Sequence, residues 1–271
     1  MSVIKKCLFP VAGFGTRFLP ATKAIPKEML PILSKPLIQY GVEEAMSAGM
    51  ISMAMVTNKY KQAIKNHFDS HLDIEESIKN SAREQLLDEV NQISEKCDFT
   101  YIEQEQMLGL GHAIYKGKPL IGNEPFAVIL PDDLCTSEGD SVLTQIAKLY
   151  EKYPDCCVVA IEEVPITEVN KYGVIEGTLL KGSNDTYRVN NMVEKPSLIE
   201  APSNLAIIGR YILIPEIFNS LEATNPDKNG EIQITDALMK LAKDGRVIAL
   251  KFQGKRYDCG NVKGFVVATN D

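Results

Sequence analysis

The sequence lacks several patterns that would assign it to a common class of protein. It has no apolar run near the roughly 18–20 residues of a membrane span, no CxxC pair and no Walker Gly-Lys-Ser/Thr. Basic residues are in the minority, with 29 Lys and Arg against 36 Asp and Glu. We therefore predict no membrane segment, no structural zinc site and no binding of nucleic acid, because phosphate backbones need a basic face.

What is present is an ordinary globular composition of 271 residues, 45% hydrophobic and 24% charged. A chain of this length can bury a core without disulfides, and its six cysteines are scattered. We therefore expect reduced thiols and a cytoplasmic protein. The first ten residues predict a strand rather than a signal peptide, because no long apolar core precedes a small-residue cleavage site.

Short apolar strands alternate with amphipathic helices along most of the chain, which predicts an α/β fold with a mainly parallel central sheet flanked by helices. After about residue 165, short polar-interrupted segments predict a small antiparallel β sub-region. No linker or repeat is visible, so we expect one domain over residues 1–271. The predicted strands are 3–11, 51–57, 126–130, 156–161, 173–180, 187–194, 206–214 and 247–252. The predicted helices are 36–49, 73–95, 142–153, 216–221, 233–241 and 262–268.

A glycine loop follows the first strand. Small residues after a parallel strand let backbone N–H groups approach phosphate oxygens, and Gly13 and Gly15 stand at this place. Gly-x-Gly alone is equally typical of a tight turn. Arg17, whose guanidinium suits phosphate, favours the phosphate interpretation. Phe18 stands where a dinucleotide fingerprint needs its third glycine, which argues against a dehydrogenase.

Two further segments carry charge where a ligand could meet it. Lys27 and Glu28 lie in an otherwise apolar run between Pro26 and Pro31, which favours a ligand role over a solvated loop. Asp132 directly follows the strand 126–130 and Pro131. Carboxylates at the carboxyl ends of parallel strands face the ligand crevice of open α/β sheets.

Ten separate motifs resemble those of sugar-phosphate nucleotidyltransferases, in that family's order and almost to the end of the chain. They are Gly13–Pro20, Pro26–Pro31, Lys35–Tyr40, Gly109–Ala113, Leu130–Asp132, Tyr172–Val174, Val193–Pro196, Ser203–Ala206, Glu231–Asp236 and Asp258–Asn261. The resemblance implies a Rossmann-like nucleotidyltransferase fold, with a nucleotide-binding part near residues 1–135 and a sugar-binding part near 136–271. It also implies Mg²⁺ and a homodimer or homotetramer.

The implied reaction joins UTP and glucose-1-phosphate to give UDP-glucose and pyrophosphate. The sugar phosphate attacks the α-phosphorus directly, so catalysis is positioning and charge neutralisation. The resemblance assigns catalytic roles to Arg17, Lys27, Asp132 and Lys195, with Lys23 as an open basic alternative. It makes Asp132 and Asp258 the magnesium ligands, with Asp133 as the competitor of Asp132.

The resemblance also places the substrates' remaining groups. Glu28 stands where thymidylyl relatives carry Gln, which favours the uridylyl branch. Gly173 would allow close approach of the sugar, Glu194 would accept its hydroxyls and Lys195 would bind its phosphate. The nucleotide-binding residues implied in this way are Ala12, Gly13, Gly15, Thr16, Glu28, Gln104 and Gly109.

Other patterns carry less weight. His67 and His71 have helical i, i+4 spacing but no evident third ligand, so we do not expect a metal there. His112 is expected to cap a helix or pack near the base. The stripe Ile74, Ile78, Leu86, Leu87, Val90 and Ile93 predicts core packing or a subunit contact. Two alternatives stay open: a nucleotidyltransferase for another base or sugar, and a nucleotide-sugar sensor without turnover.

Overall fold

Strands and helices alternate through the first half of the chain. The computed structural model describes residues 4–69, 72–81 and 84–271. The elements here are β1 (Lys6–Pro10), β2 (Pro31–Ile32), β3 (Lys35–Pro36), α1 (Leu37–Ser47), β4 (Ser52–Thr57), α2 (Gln62–Phe68), α3 (Leu72–Ile78), α4 (Gln85–Lys96), β5 (Asp98–Glu103), α5 (Gly109–Lys116), α6 (Lys118–Ile121), β6 (Phe126–Ile129), β7 (Asp133–Thr136) and α7 (Val142–Lys152). Three 3₁₀ turns, Thr16–Phe18, Ala21–Lys23 and Lys27–Met29, lie between β1 and β2.

The second half is richer in strands. Its elements are β8 (Cys157–Glu163), β9 (Gly173–Leu179), β10 (Thr186–Glu194), β11 (Leu205–Leu213), α8 (Ile217–Glu222), α9 (Ile234–Lys243), β12 (Val247–Lys251), β13 (Lys255–Asp258) and α10 (Val262–Asn270). A further 3₁₀ segment, Ile166–Lys171, precedes β9. Apart from the helix at 73–95, each strand and helix predicted from the apolar pattern has one counterpart, with ends that differ by a few residues.

One nine-stranded sheet joins both halves in the order β5-β4-β1-β6-β11-β8-β12-β10-β9. The strands β5, β4, β1 and β6 are parallel, as are β8 and β12. The strand β11 runs antiparallel to both of its neighbours, and β9 and β10 form an antiparallel hairpin. The α/β fold with a small antiparallel region is therefore confirmed, in a sheet that is mixed rather than parallel throughout.

The core forms where apolar strands are covered by helices. All four residues of β6 are buried, as the uninterrupted run Phe-Ala-Val-Ile predicts for a strand covered on both faces. The helix α5 contacts β1, α7 contacts β8 and β11, and α9 contacts β10. The six cysteines are free thiols. Among the described residues, no helix is long and apolar enough to cross a membrane.

The predicted helix at 73–95 is two helices, α3 and α4, separated by a turn at 79–81. Along its apolar stripe, Ile93 is buried, Leu87 and Val90 are half-buried, and Ile74 is exposed. The side chain of Leu86 and all of His71 lie outside the described residues. His67 Nε2 donates to Gln39 Oε1 at 3.0 Å, which satisfies one nitrogen of its ring.

Sequence periodicity missed three strands that matter below. The strand β5 carries charged residues at both ends, so it does not read as an apolar run. The strands β7 and β13 have four residues each and pair only with each other, outside the main sheet. Short two-stranded ribbons of this kind have too few residues to show a period.

Candidate active site

Four neighbouring parallel strands end at one edge of the sheet, and each is followed by a polar or glycine-containing segment. Gln104 follows β5, Asn58 follows β4, the loop from Val11 to Gly15 follows β1, and Asp132 comes shortly after β6. Because the carboxyl ends of parallel strands open onto the ligand crevice, this order brings distant sequence motifs to one place.

Hydrogen bonds tie the residues predicted to meet the base to this edge. The Gln104 amide donates to the Gly109 carbonyl at 3.3 Å and to His112 Nδ1 at 2.9 Å. The Asn58 amide donates to the Ala12 carbonyl. His112 therefore packs beside Gln104 and does not cap α5. Its position near the base stays a prediction. Burial lowers the pKa of His112, which keeps Nδ1 free to accept.

The glycine loop packs directly on the lysine predicted to hold phosphate. Gly15 has a φ of 66°, and a Cβ built there would lie 3.0 Å from Lys27 Cβ. Glycine is therefore needed for both the backbone conformation and the close approach. Gly13 and Arg17 are exposed beside the crevice. Thr16 instead lines a smaller cavity shared with Lys23.

Lys27 and Asp132 form an ion pair, with 2.5 Å between Nζ and Oδ2. Burial opposes the charge on each partner. The ion pair prevails in both cases: the Asp132 carboxylate raises the pKa of Lys27, and the Lys27 ammonium lowers the pKa of Asp132. The pair is therefore charged over the ordinary pH range. Lys23 is exposed on the turn before Lys27, so the geometry favours Lys27 over this alternative.

The second carboxylate predicted to bind metal lies beside the first. In the ribbon of β7 and β13, Asp258 pairs with Asp133, which brings it next to Asp132. A Cβ built on Gly260 would lie 2.9 Å from Asp132 Oδ2 and 3.0 Å from Asp258 Oδ1. Both carboxylates thus converge on the space that Gly260 leaves open.

This pair fits a hard divalent cation that takes the rest of its ligands from phosphate and water, as Mg²⁺ commonly does. Within the described part of the chain, no group of three or more His, Cys, Asp and Glu could hold a metal by itself. A metal here would therefore take its remaining ligands from water or from a substrate's phosphate oxygens.

Asp133 is bound elsewhere. Its Oδ1 accepts from Arg256 Nη1 at 2.6 Å, and its Oδ2 accepts from the Gly209 amide at 2.8 Å. Burial raises the pKa of Asp133 in spite of Arg256. With both oxygens engaged, Asp133 does not compete with Asp132 for the crevice.

Glu28 does not line the main cleft. Its side chain is 1% exposed and pairs with Lys61 at 2.6 Å. Burial raises the pKa of Glu28 and lowers the pKa of Lys61, against their mutual attraction. Glu28 Oε1 has no hydrogen-bond partner among the described residues. A direct contact of Glu28 with nucleotide stays a prediction.

A cleft of about 760 Å³ is lined by six of the predicted residues. Glu194 accepts from the Thr235 hydroxyl, and Gly173 faces both side chains closely. Lys195 has a φ of 45°, an unusual conformation for a non-glycine residue, and its amide donates to the Tyr172 carbonyl at 2.9 Å. The predicted residues lining the cleft are Arg17, Asp132, Gly173, Glu194, Lys195 and Asp258.

Sequence reasoning missed several residues of this region. Asn58 follows a strand in the same way as Asp132, so the strand-end rule could have found it. Thr235 lies inside the motif Glu231–Asp236, but the motif alone does not indicate its contact with Glu194. Arg210 and Arg256 are buried, with side chains 2% and 6% exposed, and no local pattern announces them.

Comparisons with known proteins agree on one family. The family model described as "Nucleotidyl transferase" matches residues 10–271. A relative from Pseudomonas aeruginosa, named UTP–glucose-1-phosphate uridylyltransferase, is 58% identical over 99% of this chain and 95% of its own.

Solved structures give the same result. A crystal structure of apo UDP-glucose pyrophosphorylase is 58% identical, with a TM-score of 0.94 over 98% of this chain and 97% of the other. A second, described as UDP-glucose pyrophosphorylase complexed with UDP-glucose, is 57% identical with a TM-score of 0.90 over the same shares.

Proposed function

The chain belongs to the nucleotidyl transferase family, and on that premise we propose that it transfers UMP from UTP to glucose-1-phosphate, releasing UDP-glucose and pyrophosphate. The observation that carries the proposal is the convergence of Asp132 and Asp258 beside Lys27, across one cleft from Glu194 and Lys195. The support from relatives is the name of the 58% identical enzyme and the UDP-glucose complex of the similar structure.

The reaction needs no protein nucleophile. The phosphate oxygen of glucose-1-phosphate attacks the α-phosphorus of UTP, and pyrophosphate leaves on the opposite side. Two anionic phosphates must approach each other, so the enzyme's work is orientation and charge neutralisation. Arg17 and Lys27 are the cations on the nucleotide side, and Lys195 is the cation on the sugar side.

We assign Mg²⁺ to Asp132 and Asp258. Bound there, it would supply positive charge to the reacting phosphates. Lys27 already neutralises Asp132 in the free protein, so its ammonium is held within reach of the same phosphates. Its raised pKa keeps it protonated, and it can donate hydrogen bonds to the departing pyrophosphate.

The sugar end of the cleft is built for hydroxyl groups. The Thr235 hydroxyl orients the Glu194 carboxylate, which can accept from glucose hydroxyls. A Cβ built on Gly173 would lie 3.2 Å from both Glu194 Oε2 and Thr235 Oγ1, a tight contact, so glycine leaves this wall more open. The backbone conformation of Lys195, anchored to Tyr172, directs the segment after Glu194 along the cleft.

The base end uses the edge of the parallel strands. We place the uracil against the backbone of Ala12 and Gly13, with Gln104 and Gly109 beside it. The amide of Gln104 is held by Gly109 and His112, so the side chain is oriented before a nucleotide arrives. Gly15 and Thr16 would shape the loop that meets the phosphates, and the binding of nucleotide by Gly15, Thr16 and Glu28 stays a prediction.

We also propose a homodimer or homotetramer in the cytoplasm. The free cysteines support the cytoplasm, and exposed apolar residues such as Ile74, which is 46% exposed on α3, support the oligomer. Light scattering that shows a single species of monomer mass would contradict the oligomer.

The test is pyrophosphate release by the purified protein. UTP and dTTP are each combined with glucose-1-phosphate or N-acetylglucosamine-1-phosphate, in Mg²⁺ or in EDTA. We expect release with UTP, glucose-1-phosphate and Mg²⁺ only. Release with another pair would keep the chemistry and change the substrates. No release from a protein that still binds UDP-glucose would favour the sensor.

A further inference from the structure

We propose that Arg210 is a positioning residue for Asp132: its guanidinium holds the carbonyls on both sides of that carboxylate and so fixes where the carboxylate points. The inference rests on the proposed function, because it concerns the metal-binding carboxylate of that reaction. Arg210 lies on β11, outside every motif that resembles the family, and it touches neither the cleft nor a substrate group.

The guanidinium uses all five of its N–H groups. Nε and Nη2 donate to Glu44 Oε2 at 3.0 and 2.8 Å. Nη1 donates to the carbonyls of Leu130 and Gly209 at 3.2 and 3.1 Å, and Nη2 also donates to the Asp133 carbonyl at 2.7 Å. The two loop carbonyls flank Pro131 and Asp132, so one rigid fork sets both ends of that segment.

The partner of Arg210 is anchored as well. Glu44 lies on α1, and its Oε1 accepts from the Leu143 amide at 2.9 Å, near the start of α7. The Arg210 side chain is 2% exposed and that of Glu44 is 9% exposed. The fork is therefore held by two helices and cannot follow the loop if the loop moves.

The strand that carries Arg210 is shaped for this contact. The pairing of β11 with β8 shifts register between Ile207 and Tyr211, which marks a bulge around Gly209 and Arg210. Gly209 also binds both ends of the segment: its carbonyl accepts from the Leu130 amide at 2.9 Å, and its amide donates to Asp133 Oδ2 at 2.8 Å.

Close approach of the loop requires glycine at this position. A Cβ built on Gly209 would lie 2.6 Å from Leu130 Cβ and 2.8 Å from Asp133 Oδ2, so one of them would have to move. Two independent changes can therefore displace the Asp132 segment: loss of the fork at Arg210, and added bulk at Gly209.

The experiment compares Arg210→Lys and Gly209→Ala with the wild type. Lysine keeps the charge beside Glu44 but cannot bridge both loop carbonyls. Residues that orient metal ligands commonly change metal affinity or activity about 10–100-fold. We expect kcat to fall about 10–100-fold, with nearly unchanged KM for both substrates. The Mg²⁺ concentration that gives half-maximal activity (the metal midpoint) should rise several-fold.

The direct readout is Mn²⁺ binding to the protein, measured by electron paramagnetic resonance in the presence of α,β-methylene-UTP. The Mn²⁺ bound by the nucleotide analogue alone is measured separately and subtracted. We expect weaker Mn²⁺ binding in both variants. The matched controls are Arg246→Lys, which changes an arginine between Asp155 and Glu216 far from the cleft, and Ile212→Ala, which destabilises the same strand. Neither should change the Mn²⁺ dissociation constant of the folded protein.

Unchanged Mn²⁺ binding and an unchanged metal midpoint in Arg210→Lys would overturn the proposal. This holds even if the apparent kcat falls, because a smaller fraction of folded protein also lowers it. If that variant does not fold, the same criteria apply to Gly209→Ala. A wild type that releases no pyrophosphate would refute the proposed function instead, and the Mn²⁺ measurement would still decide the role of Arg210.

Discussion

The ion pair of Lys27 and Asp132 predicts that one substitution will change metal binding and turnover in opposite directions. Lys27→Met removes an ammonium that lies 2.5 Å from Asp132 Oδ2, with both side chains about three-quarters buried. In the free protein this ammonium neutralises the carboxylate that a metal would need. In the reaction it would neutralise phosphate.

The expected changes in Mn²⁺ affinity and in kcat follow from different interactions. A hydrogen bond between charged groups contributes about 1.5–3 kcal/mol. Because the side chains of Lys27 and Asp132 are 23% and 24% exposed, we expect the pair to lie near the lower value. Because 1.4 kcal/mol is tenfold, free Mn²⁺ should bind Lys27→Met roughly tenfold more tightly when no nucleotide is present. Loss of one donor to developing charge typically lowers kcat about 10²–10³-fold.

The assays are Mn²⁺ titration without nucleotide and pyrophosphate release at saturating substrates. The matched control is Lys23→Met, because Lys23 is an exposed lysine on the adjacent turn. It should leave Mn²⁺ binding unchanged and kcat within a few-fold. Wild-type turnover in Lys27→Met, or an equal fall in Lys23→Met, would refute the role given to Lys27.

Asp132→Asn should lower kcat about 10²–10³-fold while keeping the wild-type circular dichroism spectrum, because it removes metal charge next to the phosphates; retained activity would contradict it. Glu28→Gln should lower the free energy of unfolding by about 3–5 kcal/mol, because it leaves the buried ammonium of Lys61 unpaired. Adding Lys61→Met should restore most of that loss in chemical denaturation. Burial raises the pKa of four thiols to about 11 or 12, so at pH 8 they stay protonated and should react with Ellman's reagent only after unfolding; fast labelling of the native protein would contradict this. The four are Cys97, Cys135, Cys157 and Cys259.

The fold was predictable wherever the apolar pattern reflects burial on its own. The strand β6 is buried at all four residues and reads as an unbroken apolar run. The helix α7 buries one face against β8 and β11 and shows helical periodicity. Strand direction is different, because the apolar run at 206–214 fits either direction. Its antiparallel placement between β6 and β8 depends on pairing that the run does not encode.

The residues of the candidate site also divide into those that the sequence indicates and those that it does not. The strand-end rule indicates Asp132, and motif resemblance indicates Lys27, Glu194, Lys195 and Asp258. Each of these residues has local context, either a preceding strand or neighbouring motif residues. The structure brings them around one cleft, and their proposed roles stay predictions until the variants are measured.

The arginine fork lacks any such context. Arg210 and Glu44 are 166 residues apart, and Arg210 stands in a strand that otherwise reads as apolar core. A lone charge in an apolar run can be explained from sequence as an edge position or a bulge, and neither explanation names its partners. Only the fold shows that the side chain reaches the carbonyls flanking Asp132. Burying a guanidinium is unfavourable unless every donor is satisfied, and two of the five donors here are satisfied by the segment that carries Asp132, the proposed metal ligand.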